Sequence, residues 1–222
     1  CRSIKTEAEL KLLKKAASLT KELFYDIFKR TWTHEEQIRR FILKWTAEHL
    51  CEPAFDPIVA SGADAANPHY QDTKRLKPGF CVIDYGIRYK GYRADVTRTV
   101  FIGQPSLDDI DYYRQVLDIQ EQCINDYLIG NSISSVHNKA AKTLGKHFIH
   151  SLGHGIGIDI HEDPFIGPSN RQTFQKHMVV TCEPGLYIPN KLGIRIEDDI
   201  IIDDKPKIIS NITRDLLCWK II

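Results

Sequence analysis

The chain has 222 residues, enough to bury a full core as one domain or as two small ones packed together. Its 30 Lys and Arg nearly balance 29 Asp and Glu, so no global basic field points to nucleic acid or an anionic membrane as a partner. No apolar run approaches the roughly 20 residues that span a bilayer, and CRSIKTEAELKLLKK at the start holds no apolar signal core, so we expect a cytoplasmic protein without a membrane partner.

Taken in chain order, helices come first. Thr6 and Glu9 form a capping box that opens an amphipathic helix to about residue 29, and Thr33 with Glu36 repeats the device for a second helix to about residue 50. Residues 57–60 and 80–102 read as strands, the latter as a hairpin turning near Tyr89 to Gly91. Ser106 starts a third helix, and SSVHNKAAKTLGKHF supports a fourth. From residue 150 short apolar segments alternate with Gly and Pro, and GIRIEDDIII and PKIIS near the end are strand-like. This order predicts an α+β class, with helices on one side of a curved sheet and a duplicated α-α-β unit. Cys1, Cys51, Cys81, Cys123, Cys182 and Cys218 lack CxxC spacing and read as buried thiols.

Four acids stand in segments that are otherwise apolar or β-branched: Asp84 in CVIDYG, Asp95 at the head of DVTRTVF, Glu183 after MVVTC, and Glu197 in GIRIEDDIII. A buried carboxylate is costly unless it is paired, hydrogen-bonded or metal-bound. Arg88, Arg93, Arg98 and Arg195 could neutralise them; for any one acid that plainer explanation is preferred. Taken together with His154, the four acids offer oxygen-rich ligation with one imidazole, which suits divalent ions such as Mn²⁺. Asp84 and Asp95 are spaced to face each other across a hairpin. The period of two puts Arg195 on the face of Glu197, where it can orient that carboxylate or bind a substrate oxygen, and Thr97 on the face of Asp95. HSLGHGIGIDIHEDPF, residues 150–165, threads histidines through glycines; it lacks the Lys or ribose-binding acid of a phosphate loop and reads instead as chain running close to a cleft.

The set DYG…DVTRT, HSLGHGIGIDIHE, CEPGLY and GIRIEDD resembles the metallopeptidases of the pita-bread fold, which include methionine aminopeptidases and proline-specific peptidases. The resemblance spans nearly the whole chain. It implies a pita-bread (creatinase/aminopeptidase) fold, with helices on the outer face of a curved antiparallel sheet and pseudo-two-fold α-α-β halves. It also implies two divalent ions, most readily Mn²⁺ with Co²⁺ or Zn²⁺ as alternatives, held by Asp84, Asp95, His154, Glu183 and Glu197, with Asp95 and Glu197 bridging. His69, in the ANPHY segment, resembles the proline-branch histidine that assists at the scissile amide, and His161 resembles one that contacts substrate. His150, Thr97 and Arg195 fall behind the ligands, and Arg195 also among the substrate-binding positions. His34, His49, His137, His147 and His177 have no such match and read as surface or core residues.

By the same resemblance the activity is metal-dependent hydrolysis of the first peptide bond of Xaa-Pro peptides, by an Xaa-Pro aminopeptidase or dipeptidase. Glu183 would carry the proton, with His69 and His161 at the reacting carbonyl and leaving nitrogen. Asn67-Pro68-His69-Tyr70 and GIRIEDD favour the proline branch over methionine aminopeptidase. A non-catalytic pita-bread peptide-binding module is a further alternative, as is the metal-free branch that hydrolyses creatine; the five ligand positions argue against both. The expected partner is a peptide with proline at its second position. Such enzymes usually carry an N-terminal domain, and RSIKTEAELKLLKKAA resembles the helix entering the catalytic domain. We therefore expect one catalytic domain over residues 1–222, with that N-terminal domain absent and any homodimer dependent on it.

Overall fold

In the computed structural model, which describes residues 2–220, the capping box of Thr6 and Glu9 opens α1 (Glu7–Phe28). The second helix, α2 (Glu35–Glu48), starts one residue later than Thr33 and Glu36 suggest. Its cap is His34, because the Gln37 carboxamide reaches back to the N–H groups of Thr33 and His34, while Glu36 pairs with Arg40 instead. A first group of strands follows: β1 (Glu52–Pro53), β2 (Ile58–Ser61), β3 (Gly79–Tyr85), β4 (Ile87–Tyr89), β5 (Tyr92–Arg93) and β6 (Val96–Ile102). The expected turn is present at Lys90 and Gly91, both with positive φ as a tight two-residue hairpin turn requires.

The second half repeats the plan. Helix α3 (Leu107–Asn125), capped by Ser106 and Asp109, and α4 (Ile133–Leu144) precede β7 (Gly153–Gly155), β8 (Glu162–Ile166), β9 (Val179–Cys182), β10 (Gly185–Ile188), β11 (Leu192–Arg195), β12 (Asp198–Ile201), β13 (Lys207–Ile208) and β14 (Cys218–Trp219). Leu19, Leu23 and Phe24 of α1 and Ile38 and Ile42 of α2 share a core with Ile83, Tyr85, Val96 and Val100 of the first strand group. Val116 and Ile119 of α3 and Val136 and Ala140 of α4 share another with Val180, Ile194 and Ile200. The expected α-α-β halves are therefore physical units, each burying two helices mainly on its own strands, with Trp219 of β14 joining the first core and Phe80 and Phe101 the second.

The strands pair antiparallel as expected, apart from β14, which runs parallel to β6; they divide into β14-β6-β3-β2, β13-β12-β9-β7-β8 and two smaller sheets. Two expectations need correction. Of the cysteines, Cys81, Cys123 and Cys182 are buried, but Cys51 is half-buried after α2 and Cys218 is exposed in the short strand β14; Cys1 lies outside the described residues. Second, three of the four acids sit just outside strands. Asp95 occupies the break between β5 and β6, Glu183 follows β9, and Glu197 fills the gap between β11 and β12. There the strand ladders give way to cross-connections: Glu197 N–H donates to Thr97 O at 3.1 Å and Ile196 N–H to Pro184 O at 3.4 Å. No helix among the described residues is long and apolar enough to cross a membrane.

Candidate metal centre

The two halves meet at a cleft of about 310 Å³ whose lining includes Asp84, Asp95, His154, Glu183 and Glu197. Asp84 projects from β3, where its register partner on β6 is Thr97; Asp95 lies two residues before Thr97, so the two aspartates meet diagonally and not face to face. His154 is carried by β7. Glycines flank it because the backbone passes very close: a Cβ on Gly153 would sit 2.2 Å from Thr181 O, and one on Gly155 would sit 2.4 Å from Asp163 O. The cis Asp163-Pro164 bond lies in β8 beside this segment. The glycines of residues 150–165 thus let a histidine strand press between β8 and β9.

The imidazole geometry is informative. Nδ1 of His154 lies 3.0 Å from Gly155 O, which fixes the proton on Nδ1 and turns the Nε2 lone pair into the cleft. There Nε2 stands 3.3 Å from Glu183 Oε1 and 3.6 Å from Asp95 Oδ2. Burial lowers the His154 pKa, so these contacts set a lone pair against carboxylate oxygens. Ligand atoms of Asp95, His154 and Glu197 all lie within 4.8 Å of one another, and Oδ1 of Asp84 and of Asp95 are buried without a hydrogen-bond partner. Burial, then the neighbouring acids Asp84, Asp199 and Glu183, raises the Asp95 pKa well above its ordinary value. Glu197 is raised by burial first and by Asp95 next, and Glu183 is raised by burial. Crowded carboxylates around an unprotonated imidazole nitrogen, two with orphaned oxygens, are the donor set a divalent cation satisfies.

The arginines do not supply that charge. Arg88 pairs with Glu52, Arg93 donates to Ile158 O and Ala54 O, and Arg98 pairs with Asp198 at 2.6 Å. Only Arg195, 3% exposed, reaches the acids, and not the one expected. It donates to Asp84 Oδ2 at 2.5 Å, to the Tyr187 hydroxyl at 2.9 Å and to Thr97 Oγ1 at 3.0 Å. Thr97 in turn donates to Glu197 Oε2 at 2.7 Å, so Arg195 reaches Glu197 through that hydroxyl.

The remaining expected histidines border the same cleft. The His161 ring stands perpendicular to that of His154 with centroids 4.3 Å apart, and burial lowers its pKa. His69 is exposed at the rim. Nε2 of His150 lies 2.9 Å from the Tyr187 hydroxyl and its Nδ1 2.7 Å from Ser151 O, so both of its ring nitrogens are engaged at the cleft wall. Phe55, Ile58, Pro68, Ile160 and Phe165 add an apolar wall to the cleft, with Ile58 the cross-strand neighbour of Asp84.

Several supporting residues escaped the sequence reading. Thr181 accepts from His154 N–H at 3.0 Å and donates to Glu183 Oε1 at 3.2 Å; its position two residues before Glu183 was an available signal. Asp199 accepts from Asp95 N–H at 3.0 Å, and Tyr187 links Arg195 to His150. Glu162 accepts the N–H groups of Ile158 and Asp159 and the buried Lys5 ammonium, closing the turn that carries His161.

A family model described as "Metallopeptidase family M24" matches residues 11–204. The chain is 34% identical over 230 residues to the Xaa-Pro dipeptidase of Pyrococcus furiosus, covering 97% of this chain and 65% of that protein. Among solved structures, it matches a recombinant prolidase from Thermococcus sibiricus with a TM-score of 0.94 and 36% identity, over 98% of this chain and 63% of the other. An X-Pro aminopeptidase from Thermotoga maritima gives a TM-score of 0.94 at 32% identity, over 98% and 65%. These structures carry the helix-and-sheet plan described above. The chain spans just under two thirds of the length of these relatives.

Proposed function

Because the chain belongs to metallopeptidase family M24, we propose that it forms a catalytic domain that hydrolyses the first peptide bond of Xaa-Pro peptides, as an aminopeptidase or dipeptidase. The observation that carries this reading is the His154 Nε2 lone pair aimed among the carboxylates of Asp95 and Glu183, beside unpartnered oxygens of Asp84 and Asp95. Asp84, Asp95, His154, Glu183 and Glu197 would hold two divalent ions, Mn²⁺ ahead of Co²⁺ or Zn²⁺. Such ions, when bound, polarise the scissile carbonyl and acidify water.

The chain's own groups supply the rest. Glu183, whose carboxyl burial pushes upward, takes a proton from the attacking water and returns it to the leaving nitrogen. His161, held neutral by burial, and His69 face the same space from opposite loops and bind the carbonyl oxygen and the leaving side. Arg195 lines the cleft and spends one N–H from each of its nitrogens on holding Thr97, Tyr187 and Asp84, which leaves one N–H on each of Nη1 and Nη2 for a substrate oxygen. The wall of Phe55, Ile58, Pro68 and Phe165 offers the apolar contact that a proline ring needs.

The test is an assay of Mn²⁺-reconstituted protein on Gly-Pro, a longer Xaa-Pro peptide and a Met-Ala peptide. Xaa-Pro cleavage that a chelator abolishes and added metal restores is expected. Equal rates on Met-Ala and Xaa-Pro would replace this reading with methionine aminopeptidase, and metal binding without cleavage of any of them would leave a peptide-binding module.

A further inference from the structure

We propose that Glu35, the first residue of α2, is a positioning residue for His69. It lies outside the acid cluster, yet it is only 1% exposed. Its Oε1 accepts from the backbone N–H and the hydroxyl of Ser61 at 2.8 and 2.7 Å. Its Oε2 accepts from the Lys74 N–H at 2.7 Å and the Tyr70 hydroxyl at 3.1 Å. Four donors saturate an ionised carboxylate, and no other side chain of this size accepts four bonds in that fork.

Those donors come from three places: the end of β2, the residue after His69, and the return of the loop toward α2. The clamp is reinforced from both sides. The Ser61 hydroxyl, having donated to Glu35, accepts from Lys77 N–H at 3.0 Å, and Glu35 N–H donates to Lys74 O at 2.9 Å. The Tyr70 ring is buried against Ala60, Ala65 and Val82. His69 is held differently: it is exposed, and among the described residues its hydrogen bond is that of its own backbone N–H to Asn67 Oδ1 at 3.1 Å. The place of the His69 ring in the cleft is therefore inherited from its neighbour Tyr70, and that of Tyr70 from Glu35. A misplacement of about 1 Å at a reacting group costs on the order of 100-fold in rate, so a loosened clamp acts on turnover before it acts on the fold.

This inference rests on the proposed role of His69, and a double-mutant cycle separates the two. Tyr70→Phe keeps the buried ring and removes one donor to Glu35; it is compared with His69→Ala and with the double variant, all loaded with Mn²⁺ and assayed on a Xaa-Pro dipeptide. We expect Tyr70→Phe alone to lower kcat about 10-fold with KM and bound metal unchanged within about twofold. In the His69→Ala background the same change should alter kcat less than about twofold, because its route to the reaction is gone. Glu35→Gln, which turns a donor toward a donor, should show the same dependence on His69 with a larger loss. Equal losses with and without His69, or an unchanged kcat in Tyr70→Phe while His69→Ala is impaired, overturns the positioning role and leaves the His69 assignment intact. An unimpaired His69→Ala overturns the assignment itself, and the inference with it.

Discussion

Replacing Arg98 with Met tests the frame that carries Glu197. Arg98 is 2% exposed, and its guanidinium donates to Asp198 Oδ1 at 2.6 Å, Ile212 O at 3.0 Å, Thr213 O at 2.8 Å, Thr97 O at 2.9 Å and Glu197 O at 2.5 Å. Methionine fills much of the same space but leaves Asp198, which is fully buried, with only the Ser210 hydroxyl and the Gln120 amide as donors. Removing one member of a buried ion pair costs about 3–5 kcal/mol, because the other charge stays behind uncompensated. At about 2–4 °C per kcal/mol for a chain of this size, the midpoint of thermal unfolding should fall by roughly 6–20 °C. The loss should be partly recovered in Arg98→Met/Asp198→Leu, where both charges are gone. Since the same guanidinium holds the backbone oxygen of Glu197, the single variant should also need more Mn²⁺ for half-maximal activity. Differential scanning calorimetry with a metal titration measures both. A cost under about 1 kcal/mol, or a double variant no more stable than the single one, would refute the view of Arg98 and Asp198 as a buried, mutually dependent pair.

Asp95→Asn should remove the second ion and the activity while circular dichroism shows an unchanged fold, since an amide is a poor bridge between cations; two ions per chain by metal analysis, with normal turnover, would contradict the ligand assignment. Gly193→Ala would bring a Cβ to 1.7 Å from Ala65 O. It should cost about 1–3 kcal/mol in urea unfolding, and no change would mean that β11 has slack here. Burial raises the Glu162 carboxyl, but the Asp159 N–H and Lys5 outweigh it and hold the pKa below its ordinary value of 4.5. A carboxyl depressed by folding stabilises the fold above its unfolded pKa and stops doing so as pH falls through the folded one. The stability gap between the parent and Glu162→Gln should thus be constant from about pH 7 to 5 and close below about pH 4, which denaturant titrations can follow; a gap unchanged at about pH 3 contradicts the Lys5–Glu162 assignment.

The cluster that lines the cleft was legible because its members break local rules: Asp84 and Glu197 interrupt apolar runs, and His154 sits among glycines. The α-α-β halves were legible from caps and periodicity. The finer geometry was not, for identifiable reasons. GIRIEDDIII reads as one strand, since its pattern continues through Ile196 and Glu197; the break arises from Pro184 and Thr97, which take those N–H groups from elsewhere in the chain. Parity correctly put Arg195 on an inner face, but which carboxylate it meets depends on how the two strand groups dock. The start of α2 moved because a Gln37 amide reached further than a rule built on Thr and Glu allows. Glu35 looks like any first-turn acid, since its donors lie 26 to 39 positions away.

The placement of the proposed ligands has a thermodynamic consequence. Asp84 and Asp95 belong to the first half and His154, Glu183 and Glu197 to the second, so an unfolded chain offers no assembled site and cations would bind the native state alone. Folding and metal occupancy are then linked by mass action: free metal at about 100 times its dissociation constant would add roughly 2.7 kcal/mol to stability, and about 1,000 times would add roughly 4.1. The unfolding temperature becomes a reading of the free metal concentration. A chelator would act on such a chain as a mild denaturant, drawing it toward the state in which the two halves have no common guest.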